Sequence, residues 1–149
     1  IEFYPSDVWQ ETINVNVNSA FHLLKASLPL LKLSKDARVL FISSSVGRKG
    51  RAHWGAYTVS KFAIEGLMQT LADELEKTSD IRVNSLNPGS TKTTMRQTAF
   101  PAEDPDTLPT PKSLMPVYLY MLSKQAKAIH GQAIDAKEFD PGKYLPLPQ

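Results

Sequence analysis

Ser43-Ser44-Ser45-Val46-Gly47, followed after a short basic loop by Gly55-Ala56-Tyr57-Thr58-Val59-Ser60-Lys61, is the stretch whose reading decides the fold. Before it, Arg38-Val39-Leu40-Phe41-Ile42 is a short apolar, β-branched run of strand length. After it, Phe62, Leu67, Met68, Leu71 and Leu75 recur at helical spacing. This pattern predicts Ser44 at the C-terminal end of a strand. It predicts Tyr57 and Lys61 at the start of a long helix running to about Lys77. Residues four apart on a helix are neighbours on one face. A phenol and an ammonium are thus expected side by side, with a hydroxyl arriving from the strand end.

That grouping has a chemical logic. A free tyrosine has a pKa of about 10 and is protonated at neutral pH. An ammonium nearby favours the phenolate. A tyrosine so placed can pass a proton to or from a substrate oxygen, and the serine hydroxyl can hold the same oxygen. The set suits interconversion of an alcohol and a carbonyl, with the hydride handled by a cofactor. A Tyr-x-x-x-Lys pair alone is weak evidence. The chain carries a second, Tyr120-x-x-x-Lys124, which reads as an exposed helix edge with no serine thirteen residues before it. Context separates the two: strand, serine cluster, glycine loop, tyrosine, lysine and apolar helix follow in order.

In that order and spacing the segment resembles the catalytic half of the classical short-chain dehydrogenase/reductase family. The family's Tyr-x-x-x-Lys matches Tyr57 and Lys61. Its catalytic serine, thirteen residues before the tyrosine and three before a glycine, matches Ser44. Its Asn-x-x-x-Pro-Gly motif matches Asn84-Ser85-Leu86-Asn87-Pro88-Gly89. The Ser-Ser-Ser-Val-Gly-Arg stretch and the Ala-Phe-Pro-x-Glu-Asp-Pro segment resemble a YciK-like bacterial group within it. The resemblance implies NAD or NADP as cofactor and a small alcohol or carbonyl substrate. Tyr57 would be the acid/base and Lys61 its cationic partner, both touching the cofactor.

Residues from about Ser6 or Asp7, either a plausible N-cap, to about Leu33 read as one long helix, with Pro29 expected to kink it or to free a main-chain carbonyl. Val8, Ile13, Val17, Phe21, Leu24 and Leu28 form its apolar stripe. Asn14 and Asn18 read as a polar face. Asn16 matches the family's Trp…Val-Asn…Phe pattern through Trp9 and Phe21. The resemblance makes it the fourth catalytic member, supporting a water that links the lysine to solvent. The basic loop Gly47–Trp54 reads as solvated, with His53 a surface histidine and Trp54 able to wall the substrate pocket. Small residues Ala56, Ser60, Ala63 and Gly66 would let another backbone approach. The family implies a homo-oligomer through the 7–33 and 57–77 helices. Asp73, Glu74 and Glu76 read as a solvated face.

Ile81 to Leu86 is the next strand, and Asn87-Pro88-Gly89 a turn signal. In the family this turn passes along the nicotinamide, so Pro88, Gly89, Thr91 and Thr93 are the matching cofactor positions. Thr91 stands where valine or isoleucine is commoner; a main-chain contact would survive that. Thr94 to Thr110, with its prolines and Glu103-Asp104-Asp106, reads as a loop or short helix suited to substrate selection. The acidic run reads as solvated, with no metal implied. Pro111 fits the first position of a helix capped by Thr110, with Leu114, Val117, Tyr118, Met121 and Leu122 as its apolar face. His130-Gly131-Gln132-Ala133-Ile134 resembles the family's Thr-Gly-Gln and last strand, with His130 for threonine. The tail from Pro141, with Pro146 and Pro148, should be irregular.

The chain of 149 residues is 42% hydrophobic and 21% charged, as in ordinary globular proteins. A net charge of +2 gives no ground for nucleic-acid or membrane binding. There are no cysteines, hence no disulfide frame or thiolate site, which is compatible with the cytoplasm. The expected fold is α/β, a Rossmann-like doubly wound parallel sheet with strands near 38–43, 81–86 and 132–135. Nothing reads Gly-x-x-x-Gly-x-Gly, the turn expected to hold the cofactor pyrophosphate. Residues 1–149 therefore read as a partial single domain, with the N-terminal half of the fold missing. The rival reading is a non-catalytic binding, regulatory or dimerisation module on the same fold.

Overall fold

A computed structural model describes residues 1–140 and Gly142. The first helical stretch is not one continuous α-helix. It comprises α1 (Ser6–Ile13), a π-helical turn over Asn14–Asn18, and α2 (Ser19–Leu31). Alternating Asn and Val are weak helix formers, and the widened turn falls on them. Asn18 Nδ2 and Gln10 Nε2 both donate to Asn14 Oδ1, at 2.7 and 3.2 Å. The break in regular hydrogen bonding is therefore at the asparagines, whereas Pro29 sits inside α2, which continues to Leu31. Neither Ser6 nor Asp7 is the cap: Pro5 holds the N-cap position with extended backbone.

Three strands follow: β1 (Arg38–Ile42), β2 (Arg82–Asn87) and β3 (Ala133–Asp135). They form one parallel sheet in the order β1-β2-β3, with Phe41 beside Ser85 and Leu86 beside Ile134. Parallel neighbours need crossover connections, usually helical. Here α3 (Gly55–Leu75) joins β1 to β2, and α4 (Thr94–Ala99) and α5 (Pro111–Met121) lie between β2 and β3. Thr110 caps α5, accepting from Ser113 N at 3.3 Å, with Pro111 at its first position.

The sheet is covered on both faces, as a doubly wound fold requires. On one face Phe41 and Val83 pack with Ile64, Met68, Leu71 and Leu75 of α3, against which Leu24 and Leu28 of α2 lean. On the other, Leu86 and Ile134 pack with Val117, Tyr120 and Met121 of α5. Two sequence expectations shift. Phe62 is exposed, and the buried stripe of α3 instead runs through Ala56, Ser60, Ile64, Glu65, Met68, Leu71, Ala72 and Leu75. Tyr120 of the second Tyr-x-x-x-Lys is buried against Phe139 rather than on an exposed edge, and Leu122 is exposed. Asp73, Glu74 and Glu76 are exposed as expected. The tail expected around Pro141, Pro146 and Pro148 lies outside the described residues.

His130 stitches this frame. Its Nδ1 accepts from Val83 N at 3.2 Å, and its Nε2 lies 2.9 Å from Ala72 O. A main-chain N–H can only donate and a carbonyl can only accept, so the proton sits on Nε2, which donates to Ala72 O. One imidazole thus spans β2 and α3. His130→Ala orphans a main-chain donor beside a fully buried strand residue. Urea unfolding of that variant should show a loss of roughly 1–3 kcal/mol; an unchanged midpoint would mean that the imidazole adds nothing there.

Candidate active site

Every strand of a parallel sheet delivers its C-terminal end to the same edge, and the crevice outside that edge is where such folds bind ligands. At the end of β1, Ser43 N still donates to Leu86 O at 2.8 Å. Ser44 then caps a short 3-10 turn, Ser45–Gly47, its extended backbone bringing Oγ 3.4 Å from Val46 N. Gly47 presses that turn onto α3. A Cβ there would stand 2.8 Å from the Lys61 carbonyl oxygen and 2.8 Å from Ser43 Oγ, so no other residue fits without displacing the turn.

Tyr57 and Lys61 lie on the first turns of α3, both half-buried. The Lys61 ammonium stands 5.6 Å from the centre of the Tyr57 ring and donates to Ile42 O at 2.9 Å. Burial lowers the Lys61 pKa from its ordinary value. The Tyr57 hydroxyl has no hydrogen-bond partner among the described residues. Asn16 lies in the π-helical turn, and its Nδ2 donates to Ser60 Oγ at 3.0 Å. Ser60 Oγ in turn donates to Tyr57 O at 2.8 Å. The asparagine thus touches the residue next to Lys61 rather than the lysine itself. Single-turn π-bulges recur at functional sites.

The turn after β2 is shaped for close approach. Gly89 has φ +74°, a conformation costly for other residues. Its N–H donates to Asn87 Oδ1 at 3.0 Å. Pro88 is half-buried beside it. Thr91 Oγ1 bonds Gly89 O at 3.3 Å, while the Thr91 main-chain N–H has no partner among the described residues. Thr93 Oγ1 is occupied as the cap of α4, accepting from Arg96 N at 3.2 Å. An open main-chain donor beside a left-handed glycine fits an amide oxygen such as that of a nicotinamide carboxamide. A lysine ammonium beside Tyr57 fits a ribose hydroxyl.

A roof stands over Tyr57. Trp54 lies 5.7 Å from the Tyr57 ring and 5.9 Å from that of Phe100, centre to centre. The Arg96 guanidinium stacks 3.6 Å from the centre of Phe100 and bonds Glu103 through two contacts of 2.6 and 2.7 Å. Its hydrogen bonds hold the Glu103 carboxyl below the usual range. Lys92 meets Asp106 at 2.5 Å. Asp104 and Asp106 are exposed, as expected of a solvated run, while Glu103 and Asp106 also pair with the loop's own cations. His53 is exposed, with φ +68°.

One group of residues escaped the sequence reading. Arg48, expected on a solvated loop, turns its guanidinium inward. It pairs with Asp135 through Nη1, bonds Ile134 O through Nη2 at 3.3 Å, and sits 3.5 Å from Glu65 Oε1. Glu65 Oε2 accepts from Ser85 Oγ at 2.7 Å. The available signal was a carboxylate at Glu65, four residues after Lys61 and beside the core positions Ile64 and Met68.

Comparison with known proteins agrees with this architecture. Residues 1–104 match the family model for short chain dehydrogenases. The chain is 52% identical over 130 residues to an uncharacterized oxidoreductase, YciK, of Escherichia coli K12, covering 87% of this chain and 51% of that protein. A short chain dehydrogenase from Salmonella enterica serovar Typhi superposes with a TM-score of 0.89 at 49% identity, covering 92% of this chain and 56% of that one. One from E. coli CFT073, complexed with NADPH, superposes at 0.88 with 49% identity over the same shares. The chain spans about half the length of these relatives. With its serine turn, Tyr57/Lys61 helix start and Pro-Gly turn at one edge of a parallel sheet, the chain belongs to the short chain dehydrogenase family.

Proposed function

We propose that the protein carrying this chain is an oxidoreductase interconverting an alcohol and a carbonyl with a nicotinamide cofactor, and that Tyr57 is its acid/base. The observation that carries the reading is the Tyr57 phenol: unpartnered among the described residues, walled by Trp54 and flanked by the Lys61 ammonium. A hydroxyl left free beside a cation is poised to exchange a proton.

The nicotinamide, when bound, supplies or takes the hydride. The chain's own residues handle the oxygen. Tyr57 Oη gives a proton to the carbonyl oxygen in reduction and takes one from the alcohol in oxidation. Ser44 Oγ, already at the strand end and held among the described residues only by the 3.4 Å contact from Val46 N, orients that oxygen. Lys61 supplies positive charge beside the ring and can bond the ribose. The Thr91 main-chain N–H and the Pro88-Gly89 turn hold the carboxamide, with Thr93 setting the following helix. Asn16 keeps its Oδ1 without a partner among the described residues, leaving it able to hold a water on the proton's way to solvent. The NADPH bound by the E. coli CFT073 relative favours NADP(H) over NAD(H) here. The pyrophosphate would be held outside these 149 residues, which then form one partial domain.

Val8, Val15 and Phe21 of the first helical stretch and Val59 and Phe62 of α3 are exposed. A Cβ at Gly66 would meet open space. These surfaces suit a second copy of the protein across the two helices. No helix among the described residues is long and apolar enough to cross a membrane. With the absence of cysteine, this is compatible with a cytoplasmic enzyme.

Tyr57→Phe keeps the ring and removes only the oxygen. Turnover should fall by about 10²–10⁴, while NADPH affinity, read by fluorescence titration, falls by no more than about tenfold, the loss of one hydrogen bond. Retained turnover would leave Tyr57 a packing residue and favour a non-catalytic module. Lys61 offers a second check. Its folded pKa lies below the ordinary 10.5, so between the two values the unfolded chain binds more protons. Stability should therefore rise with pH across a window ending near 10.5. A carbon-13 titration of the Lys61 Cε should place its midpoint below 10.5; a midpoint at or above it would mean that a counter-charge offsets the burial.

A further inference from the structure

We propose that Arg48 and Asp135 are positioning residues that set the Pro88–Thr91 turn. The inference rests on reading that turn as the nicotinamide contact. The chain of bonds runs from the loop after β1 through the ends of β3 and β2. Arg48, just past the serine turn, grips Asp135 at the end of β3. Asp135 Oδ1 accepts from Asn87 Nδ2 at the end of β2. Asn87 Oδ1 accepts from Gly89 N–H at 3.0 Å, inside the turn itself.

Each link needs the residue type it has. Asp135 accepts on both oxygens, Oδ2 from Arg48 and Oδ1 from Asn87; only a carboxylate can do that, since an amide has one acceptor oxygen. A carboxylate on one side and a main-chain N–H on the other fix which way the Asn87 amide faces. Arg48 is needed because its planar fork bonds both Asp135 and Ile134 O while its charge stands 3.5 Å from Glu65 Oε1. Glu65 carries the same hold into α3, one helical turn beyond Lys61, and on to Ser85. The cation that steadies the nicotinamide turn thus also ties it to the helix bearing Tyr57.

The frame does not need this arrangement for its packing. The apolar clusters on both sheet faces involve neither Arg48 nor Asp135. Asn87 is the last residue of β2, and its side-chain bonds run to Asp135 and forward into the turn. Removing the guanidinium entirely is a poor test. Glu65, whose side chain is only 6% exposed, would lose its cation, and breaking a buried pair destabilises broadly. Asp135, 31% exposed, can be changed more gently.

The test compares Asp135→Asn with Arg48→Lys, which keeps the charge and loses the fork, in the full-length natural protein. Amide hydrogen exchange without cofactor is the first readout, and an NADPH fluorescence titration the second. Asp135→Asn should raise exchange at Gly89 about tenfold, the loss of one hydrogen bond, with Val83 and Leu86 unchanged. NADPH should bind about tenfold more weakly, and Arg48→Lys should fall between. Gly89 exchange within about twofold of the natural protein would overturn the proposal. So would a rise shared equally by Val83 and Leu86, since that marks general loosening. If the natural protein itself bound no NADPH, the proposed function would fall, and Gly89 exchange alone would still decide the positioning chain.

Discussion

A single close approach holds the site together: the turn at Gly47 lies against the main chain of α3. With a Cβ only 2.8 Å from the Lys61 carbonyl oxygen, the loop after β1 cannot carry a side chain there and keep its place. This contact brings Ser44, at the strand end, to the start of the helix that carries Tyr57 and Lys61. Lys61 then reaches back to Ile42 O at 2.9 Å, so the helix and strand are tied by both backbone packing and a charged hydrogen bond. The two ends of that bond lie nineteen residues apart in the chain.

The strand-end edge is unusually polar for so buried a region. Ser43, Ser85, Asn84, Asn87 and Glu65 are all buried. Burying such groups is tolerated when each finds a partner, and most here do. Asn84 donates to Ile129 O and accepts from Gln132 N, both at 3.0 Å. Ser85 donates to Glu65. Directional bonds of this kind specify one geometry, where apolar contact alone tolerates small slips.

How much of this was legible follows from what local pattern can carry. The first two strands, the helix from Gly55 and the Thr110-Pro111 cap rest on periodicity and turn chemistry, which are local, the third strand rests on the family resemblance of His130–Ile134, and each stands within a residue or two of its expected place. The π-helical turn was not legible, because Asn-Val-Asn-Val-Asn fits a helix face as well as it fits a bulge; only Ser60, forty-four residues on, shows which way Asn16 turns. Arg48 was misplaced for the same reason. Its partners Asp135 and Glu65 are far off in sequence, and a basic loop gives no local sign that one of its cations folds inward. Phe62 was misassigned by one step of helical phase, since polar Glu65 occupies a core position that an apolar count skips.

That polar intrusion explains the design of α3. Residues four apart stack along one face, so Tyr57, Lys61 and Glu65 form a stripe: phenol, ammonium, carboxylate. The neighbouring stripe, Ile64, Met68, Leu71 and Leu75, is the core. The two stripes border each other, and the core stripe fixes the rotation of the helix about its axis. A helix anchored that way cannot turn Tyr57 toward solvent without dragging Met68, which is fully buried, out of the sheet face. The chemistry of the first two turns is thus oriented by packing in the last three. Glu65, at the boundary, converts that orientation into hydrogen bonds to β2 and an ion pair to the loop that follows β1.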